Sequence, residues 1–204
     1  MKEPLRVGVL ASGRGSNLQA ILDASARADF PARVAVVVSD REGARALKIA
    51  AERGVPAVFL NPKDFGDREA YDAAITKVLE AHQVGLVCLA GFMRILGPAF
   101  VRAWRGRVMN IHPSLLPAFP GLNAQRQALD HGVKISGATV HFVDEGVDTG
   151  PIILQSSVPV QPDDTEETLA ARILAEEHRL YPQAVRLFAE GRLRIVGSRV
   201  TVGW

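Results

Sequence analysis

Cysteine occurs once in 204 residues, at Cys88 inside the apolar run GLVCLAG. A single thiol excludes an intramolecular disulfide framework and suits a reducing cytosol. No basic residue stands beside it in sequence to activate it, so it reads as a buried structural thiol, not a nucleophile. A basic block is also missing. Net charge is +2, with Lys and Arg interspersed among Asp and Glu, which points away from a nucleic-acid surface. No apolar run is long enough to span a membrane, and the run after MKEP is too short for a signal peptide. The expectation is a cytoplasmic protein with small-molecule partners, no nucleic acid and no membrane. Internal repeats and low-complexity segments are absent. So is a nucleophile elbow, because GRGSN lacks the G-x-S-x-G form, which argues against a covalent serine relay. What is present is 48% hydrophobic against 23% charged residues, enough for one globular domain with a sizeable core.

Along the chain, short β-branched runs alternate with helical periodicity. LRVGVLA, ARVAVVVSD, PAVFL, GLVCLAG and GRVMNIH read as strands. SNLQAILDASARA, GARALKIAAERG closed by Gly54, and DREAYDAAITKVLEAHQ capped by Asp67 read as helices, with a shorter one around PAFVRAW. This order predicts an α/β fold with a doubly wound, mostly parallel sheet. Beyond it, NAQRQALDHG is helical, and SGATVHFV and GPIILQSSVPV form a sequential strand pair. A long helix follows from TEETLAARIL to RLFAEG, which Pro182 should kink or divide. RLRIVGSRVTV predicts a terminal antiparallel hairpin turning at Gly197-Ser198. One domain, 1–204, is expected, with a nucleotide-binding-like half over 1–100 running into a site-bearing half over 101–204.

Three constellations carry chemistry. In LASGRGSNLQA, Gly13 and Gly15 follow the first strand, and Ser16 and Asn17 open the next helix. Glycines let backbone approach an anion, and a helix N-terminus offers unpaired N–H groups. The plainer alternative is a tight strand–helix turn with a cap. Because the third glycine of G-x-G-x-x-G and a Walker lysine are both missing, a phosphate monoester fits better than a dinucleotide.

In VMNIHPSLLPAFPG, Asn110 and His112 end a predicted strand, two residues apart and so on one face. An amide beside an imidazole supplies a hydrogen-bond donor and a proton carrier to one centre. The alternative is a histidine that only holds a loop carbonyl. Pro113, Pro117 and Pro120 cannot continue a helix or a central strand but can stiffen a loop, and Leu116-Pro117 is a candidate cis bond. In ATVHFVDEGVDTGPIIL, Asp144, Glu145 and Asp148 sit in a glycine-punctuated turn. Such a string is usually an acidic surface turn. A metal site with His141 nearby matches no familiar ligand spacing. The functional alternative is that one carboxylate pairs with His112 and orients it.

Together ASGRGSNLQAI, LAGFMRIL, NIHPSLLPAFPG and SGATVHFVDEGVDTGPII resemble the phosphoribosylglycinamide formyltransferase family, folate-dependent transferases of purine synthesis. The resemblance covers nearly the whole chain in one order and spacing. It implies a Rossmann-like formyltransferase fold with a C-terminal antiparallel addition. It also implies formyl transfer from 10-formyltetrahydrofolate to the amine of phosphoribosylglycinamide, with no metal, by a monomer or homodimer.

By that resemblance the catalytic trio falls on Asn110, His112 and Asp148. Ribonucleotide binding falls on Gly15, Ser16 and Asn17, with a second contact over Leu174 to Glu177. Folate binding falls on Arg68, on Met93, Arg94, Ile95 and Leu96, on Asn110, and on Asp144, Glu145, Gly146, Val147 and Asp148. Many members carry histidine where this chain has Asn123. The implied mechanism is direct attack of the amine on the formyl carbon, with Asn110 and His112 donating to the oxyanion and Asp148 assisting proton movement. Three rivals are weighed. A methionyl-tRNA formyltransferase normally adds a second, basic domain, and a formyltetrahydrofolate hydrolase usually has a regulatory domain ahead of the core, whereas here the core begins at Leu5. A noncatalytic phosphate-binding module would have no use for the trio.

Overall fold

Two buried aliphatic strands organise the first part of the chain. In the computed structural model, which describes residues 3–203, β1 (Leu5–Leu10) and β2 (Ala32–Ser39) lie parallel, Val9 opposite Val37. Val7, Val9, Leu10, Val36, Val37 and Val38 are all buried. Strands covered on both faces need continuous apolar sequence, not alternation, and these have it. β3 (Ala57–Phe59) pairs parallel with β2, and β4 (Leu86–Leu89) pairs parallel with β1 on its other side.

The connecting helices are α1 (Ser16–Ser25), α2 (Arg45–Glu52) and α3 (Arg68–Ala81). Right-handed crossovers place helices on opposite faces when strand order reverses, and it reverses between β1 and β4. Asp67 caps α3 as expected, its carboxylate accepting the Ala70 N–H at 2.8 Å. Gly8 lets α3 pack against β1, since a Cβ there would meet Leu79 Cδ2 at 2.4 Å. A short 3-10 turn, Pro62–Asp64, was not foreseen; it is capped by the Asn61 side chain. α4 (Pro98–Ala103) completes this part.

The described chain divides into two compact units, one ending at Met109 and the next starting at Asn110, inside β5 (Val108–His112). The second unit holds α5 (Ala124–Asp130) and the antiparallel pair β6 (Ile135–Phe142) and β7 (Ile152–Pro159). It also holds α6 (Glu166–Ala189) and the hairpin β8 (Leu193–Val196) and β9 (Arg199–Val202), which turns at Gly197-Ser198 as read from the sequence. Strand order is β3-β2-β1-β4-β5-β6-β7 in a seven-stranded sheet, with β8-β9 separate.

Pro182 does not divide the long helix, the one of its two expected effects that the secondary structure bears on. α6 runs as a single helix of 24 residues through Pro182, neither divided nor ended by it. Leu180, Tyr181, Ala184 and Val185 around the proline are all buried. Burial of that apolar stripe outweighs the one backbone bond a proline forfeits. Among the described residues, no helix is long and apolar enough to cross a membrane.

Candidate active site

β5 ends in Asn110-Ile111-His112, and the strand's alternation sends both polar side chains to one side. His112 is buried at 5% exposure and Asn110 is half-buried. The loop that follows is rigid for more reasons than its prolines. The Thr139 hydroxyl donates to the Ser114 carbonyl at 2.7 Å and accepts the Leu116 N–H at 3.1 Å. The Gln155 amide donates to the Leu116 carbonyl at 2.9 Å, and the Leu116–Pro117 bond is cis. β6 and β7 therefore hold the loop from below.

Asp148 meets the end of β5 from the turn after β6. Its Oδ2 lies 3.4 Å from His112 Nδ1 and accepts the Gly121 N–H at 2.8 Å. Its Oδ1 lies 3.6 Å from His141 Nε2 and 3.5 Å from Asn110 Nδ2. The residue adopts φ +54°, in the left-handed region that few side chains enter without compensation. Burial on its own would raise the Asp148 carboxyl, and it is the largest single influence. The His141 hydrogen bond, the Gly121 amide and the charges of His112 and His141 together outweigh it, so the carboxyl sits below its ordinary range.

Both nitrogens of His112 are engaged. Nε2 lies 2.8 Å from the Phe119 carbonyl, which can only accept, so this nitrogen carries the proton. A second proton on Nδ1 would donate to Asp148. His141 is placed in the same way. Its Nδ1 lies 2.9 Å from the Phe142 carbonyl and so carries a proton, while Nε2 lies 3.3 Å from Asn110 Nδ2 and 3.6 Å from Asp148 Oδ1, accepting from the amide when the ring is neutral and facing the carboxylate as a donor when it is protonated.

His141 is thus a member of the cluster, whereas the sequence suggested it only as a neighbour of a possible metal site. The signal was available: β6 buries nearly its whole length, and a histidine at a buried strand position requires polar partners.

The acidic turn is partly self-consumed. Asp144 Oδ1 accepts the Gly146 N–H at 3.0 Å and the Thr149 hydroxyl at 2.7 Å, so this carboxylate builds the turn. Val147 is exposed. Asn123, where many relatives carry histidine, is the residue preceding α5 and adopts φ +57° without a side-chain cap bond. Asparagine tolerates that conformation better than most residues.

The remaining expected residues lie as follows. In the first unit, Gly15 precedes α1 with φ +74°, and a Cβ on it would meet Ala46 Cα at 2.9 Å. Its lack of a side chain is therefore already required by packing against α2. Gly13 has open space where a Cβ would be. Asn17 is buried and Ser16 half-buried. Arg68 opens α3, and the Arg94 guanidinium lies 5.3 Å from the Tyr71 ring centroid. Met93 and Ile95 are exposed, whereas Leu96 is buried. In the second unit, Glu177 is buried on α6.

A family model described as formyl transferase matches residues 5–185. A phosphoribosylglycinamide formyltransferase of Mycobacterium tuberculosis is 50% identical over 211 residues, covering 100% of this chain and 97% of the relative. The trifunctional purine biosynthetic protein adenosine-3 of Drosophila melanogaster is 53% identical over 91% of this chain, which spans only 14% of that relative's length. Among solved structures, glycinamide ribonucleotide transformylase 1 from Symbiobacterium toebii is 57% identical with a TM-score of 0.98, over 100% of this chain and 96% of that one.

Proposed function

The chain belongs to the formyl transferase family, and from that premise we propose that it transfers a formyl group from 10-formyltetrahydrofolate to the amine of 5-phosphoribosylglycinamide in purine biosynthesis. The observation that carries the proposal is the meeting of an amide, an imidazole and a carboxylate, Asn110, His112 and Asp148, within 3.5 Å contacts at the end of one strand.

The amine attacks the formyl carbon, and the carbonyl oxygen becomes an oxyanion. With His141 neutral, one Asn110 amide proton is held by its Nε2; the other points at Asp148 Oδ1 from 3.5 Å, too long to be a strong bond, and can pass to the oxyanion. His112 reaches the same oxygen by exchanging the Phe119 carbonyl for it at Nε2. An oxyanion is the stronger acceptor, so the exchange favours the transition state over the ground state. The attacking nitrogen then loses a proton, the folate N10 gains one, and the C–N10 bond breaks. Asp148, ionised beside His112, favours the protonated imidazole and helps that proton move from the amine toward N10. Alignment of the two substrates supplies much of the remaining acceleration.

The ribonucleotide is bound through Gly15, Ser16, Asn17 and Glu177. The folate is bound through Arg68, the 93–96 segment, Asn110 and the 144–148 turn. No metal enters the scheme. The protein works in the cytosol as a monomer or homodimer; a lone, buried thiol at Cys88 accords with a reducing compartment. The test is to mix the protein with 10-formyltetrahydrofolate and follow folate absorbance with and without the ribonucleotide. Transfer requires both. Equal loss of the formyl group without the ribonucleotide would identify a hydrolase instead.

A further inference from the structure

The strands of the first unit reverse order between β1 and β4, and crevices at such reversals are where ligands settle in open α/β sheets. The segment leaving β4 at this reversal, residues 91–97, is tied down at both ends by buried side chains. At one end, Ser12 at 2% exposure accepts the Met93 N–H on Oγ at 2.8 Å, while its own N–H donates to the Gly91 carbonyl at 3.0 Å. At the other, Asp72 at 5% exposure accepts the Gly97 N–H at 2.6 Å. Between the ties the backbone leaves two apolar side chains outside, Met93 at 59% and Ile95 at 70% exposure.

We infer that Ser12 and Asp72 are positioning residues, two buried pegs that hold this strap so that Met93 and Ile95 stand ready to grip a flat apolar ring. The inference rests on the proposal that the folate lies against residues 93–96. Exposed apolar side chains on an untethered loop would collapse onto the protein, and a ligand would then have to restore the open arrangement at a cost in affinity. The pegs remove that cost without touching the ligand. The geometry is economical for Asp72. Its carboxylate accepts the N–H of Gly97, the residue just before α4, and so fixes the strap's exit, with the charges of Arg68 and Arg94 acting on the same carboxylate.

The pegs predict a particular kinetic pattern. Ser12→Ala and Asp72→Ala each leave a strap amide without its partner and should raise KM for the folate about tenfold, the consequence of one lost buried hydrogen bond. The KM for the ribonucleotide and kcat should stay unchanged, because the Ser12 N–H to Gly91 link survives. Ser12→Thr and Asp72→Asn keep an acceptor oxygen and should restore the parent KM. Hydrogen exchange should show faster Met93 and Gly97 amides in the two alanine variants. If those amides exchange faster while the folate KM stays at the parent value, or if both substrates' KM values rise together, the inference is overturned. If a non-reacting folate analogue fails to protect residues 91–97 in the parent protein, the folate placement itself is wrong, whatever the variants do. Should Asp72→Ala not fold, Ser12→Ala carries the same test.

Discussion

Asp148 Oδ2 stands 3.4 Å from His112 Nδ1, and the backbone that brings it there is held in the left-handed region at φ +54°. The pairing therefore has a conformational cost, offset in part by the Gly121 amide on the same carboxylate oxygen. Two consequences follow for substitution. Asparagine is the one replacement that keeps the size, an acceptor oxygen and tolerance of that φ while removing the charge. Asp148→Asn should fold normally, lower kcat roughly a hundredfold or more, and leave ribonucleotide affinity intact. Calorimetry with the ribonucleotide beside steady-state rates checks this. A folded variant with parental kcat would take Asp148 out of the reaction.

The same carboxylate predicts an acid-side loss of stability. Burial raises its pKa, but the His141 bond, the Gly121 amide and the charges of the two imidazoles bring it below the unfolded value. A lowered folded value means that the ionised group stabilises the fold above the ordinary carboxylate range and ceases to do so as pH falls through the folded value. Asp72 runs the other way. Burial first of all pushes it up, against the Gly97 amide and the charges of Arg68 and Arg94, so its contribution declines as pH rises from the ordinary range to the folded value. Urea melts of parent and Asp148→Asn from about pH 7 to about pH 3 should show a stability gap that closes toward acid. A gap that widens toward acid contradicts the pairing.

Gly13 and Gly15 should separate packing from binding. Gly15→Ala puts a Cβ 2.9 Å from Ala46 Cα at φ +74° and should destabilise the fold by roughly 2–4 kcal/mol. Gly13→Ala adds a methyl group in open space, so its melting temperature should stay close to the parent's. If the phosphate approaches this turn, Gly13→Ala should weaken ribonucleotide binding about tenfold with folate binding untouched, as loss of close backbone approach requires. Unchanged ribonucleotide affinity in that variant would move the phosphate elsewhere.

His141 should matter through Asn110. With its Nδ1 on the Phe142 carbonyl, His141 Nε2 fixes which way the Asn110 amide faces. His141→Ala frees that amide to turn and should reduce kcat about tenfold to a hundredfold, the range for one buried hydrogen bond. His141→Gln, which can offer an acceptor in the same place, should recover part of the loss. Equal kcat losses in the two variants would assign His141 a role other than orienting Asn110.

Much of this was legible in the sequence because local signals and tertiary needs agreed. Aliphatic runs such as VAVVVS could only be buried strands, Asp67 and Gly197-Ser198 marked a cap and a turn, and Asn110 and His112 shared a strand face. What was hidden required knowing neighbours. Pro182 predicts a kink or a division from its own chemistry, and only the buried residues flanking it explain an undivided α6. Ile95 and Leu96 look alike in sequence, yet one is exposed and the other is core, a choice made by where Ser12 and Asp72 pin the strap. Gly15 suggested an anion site, and part of its reason is Ala46 on a helix that the motif does not mention.

The shortness of β3 has a consequence for behaviour at high concentration. β3 is the outermost strand of the first unit, three residues long and bracketed by Pro56 and Pro62. A foreign strand adding to that margin would find few free amide hydrogens and a proline on each side with none to give. The β3 margin is thus a poor template for growth, and that edge of the sheet carries its own guard against strand addition.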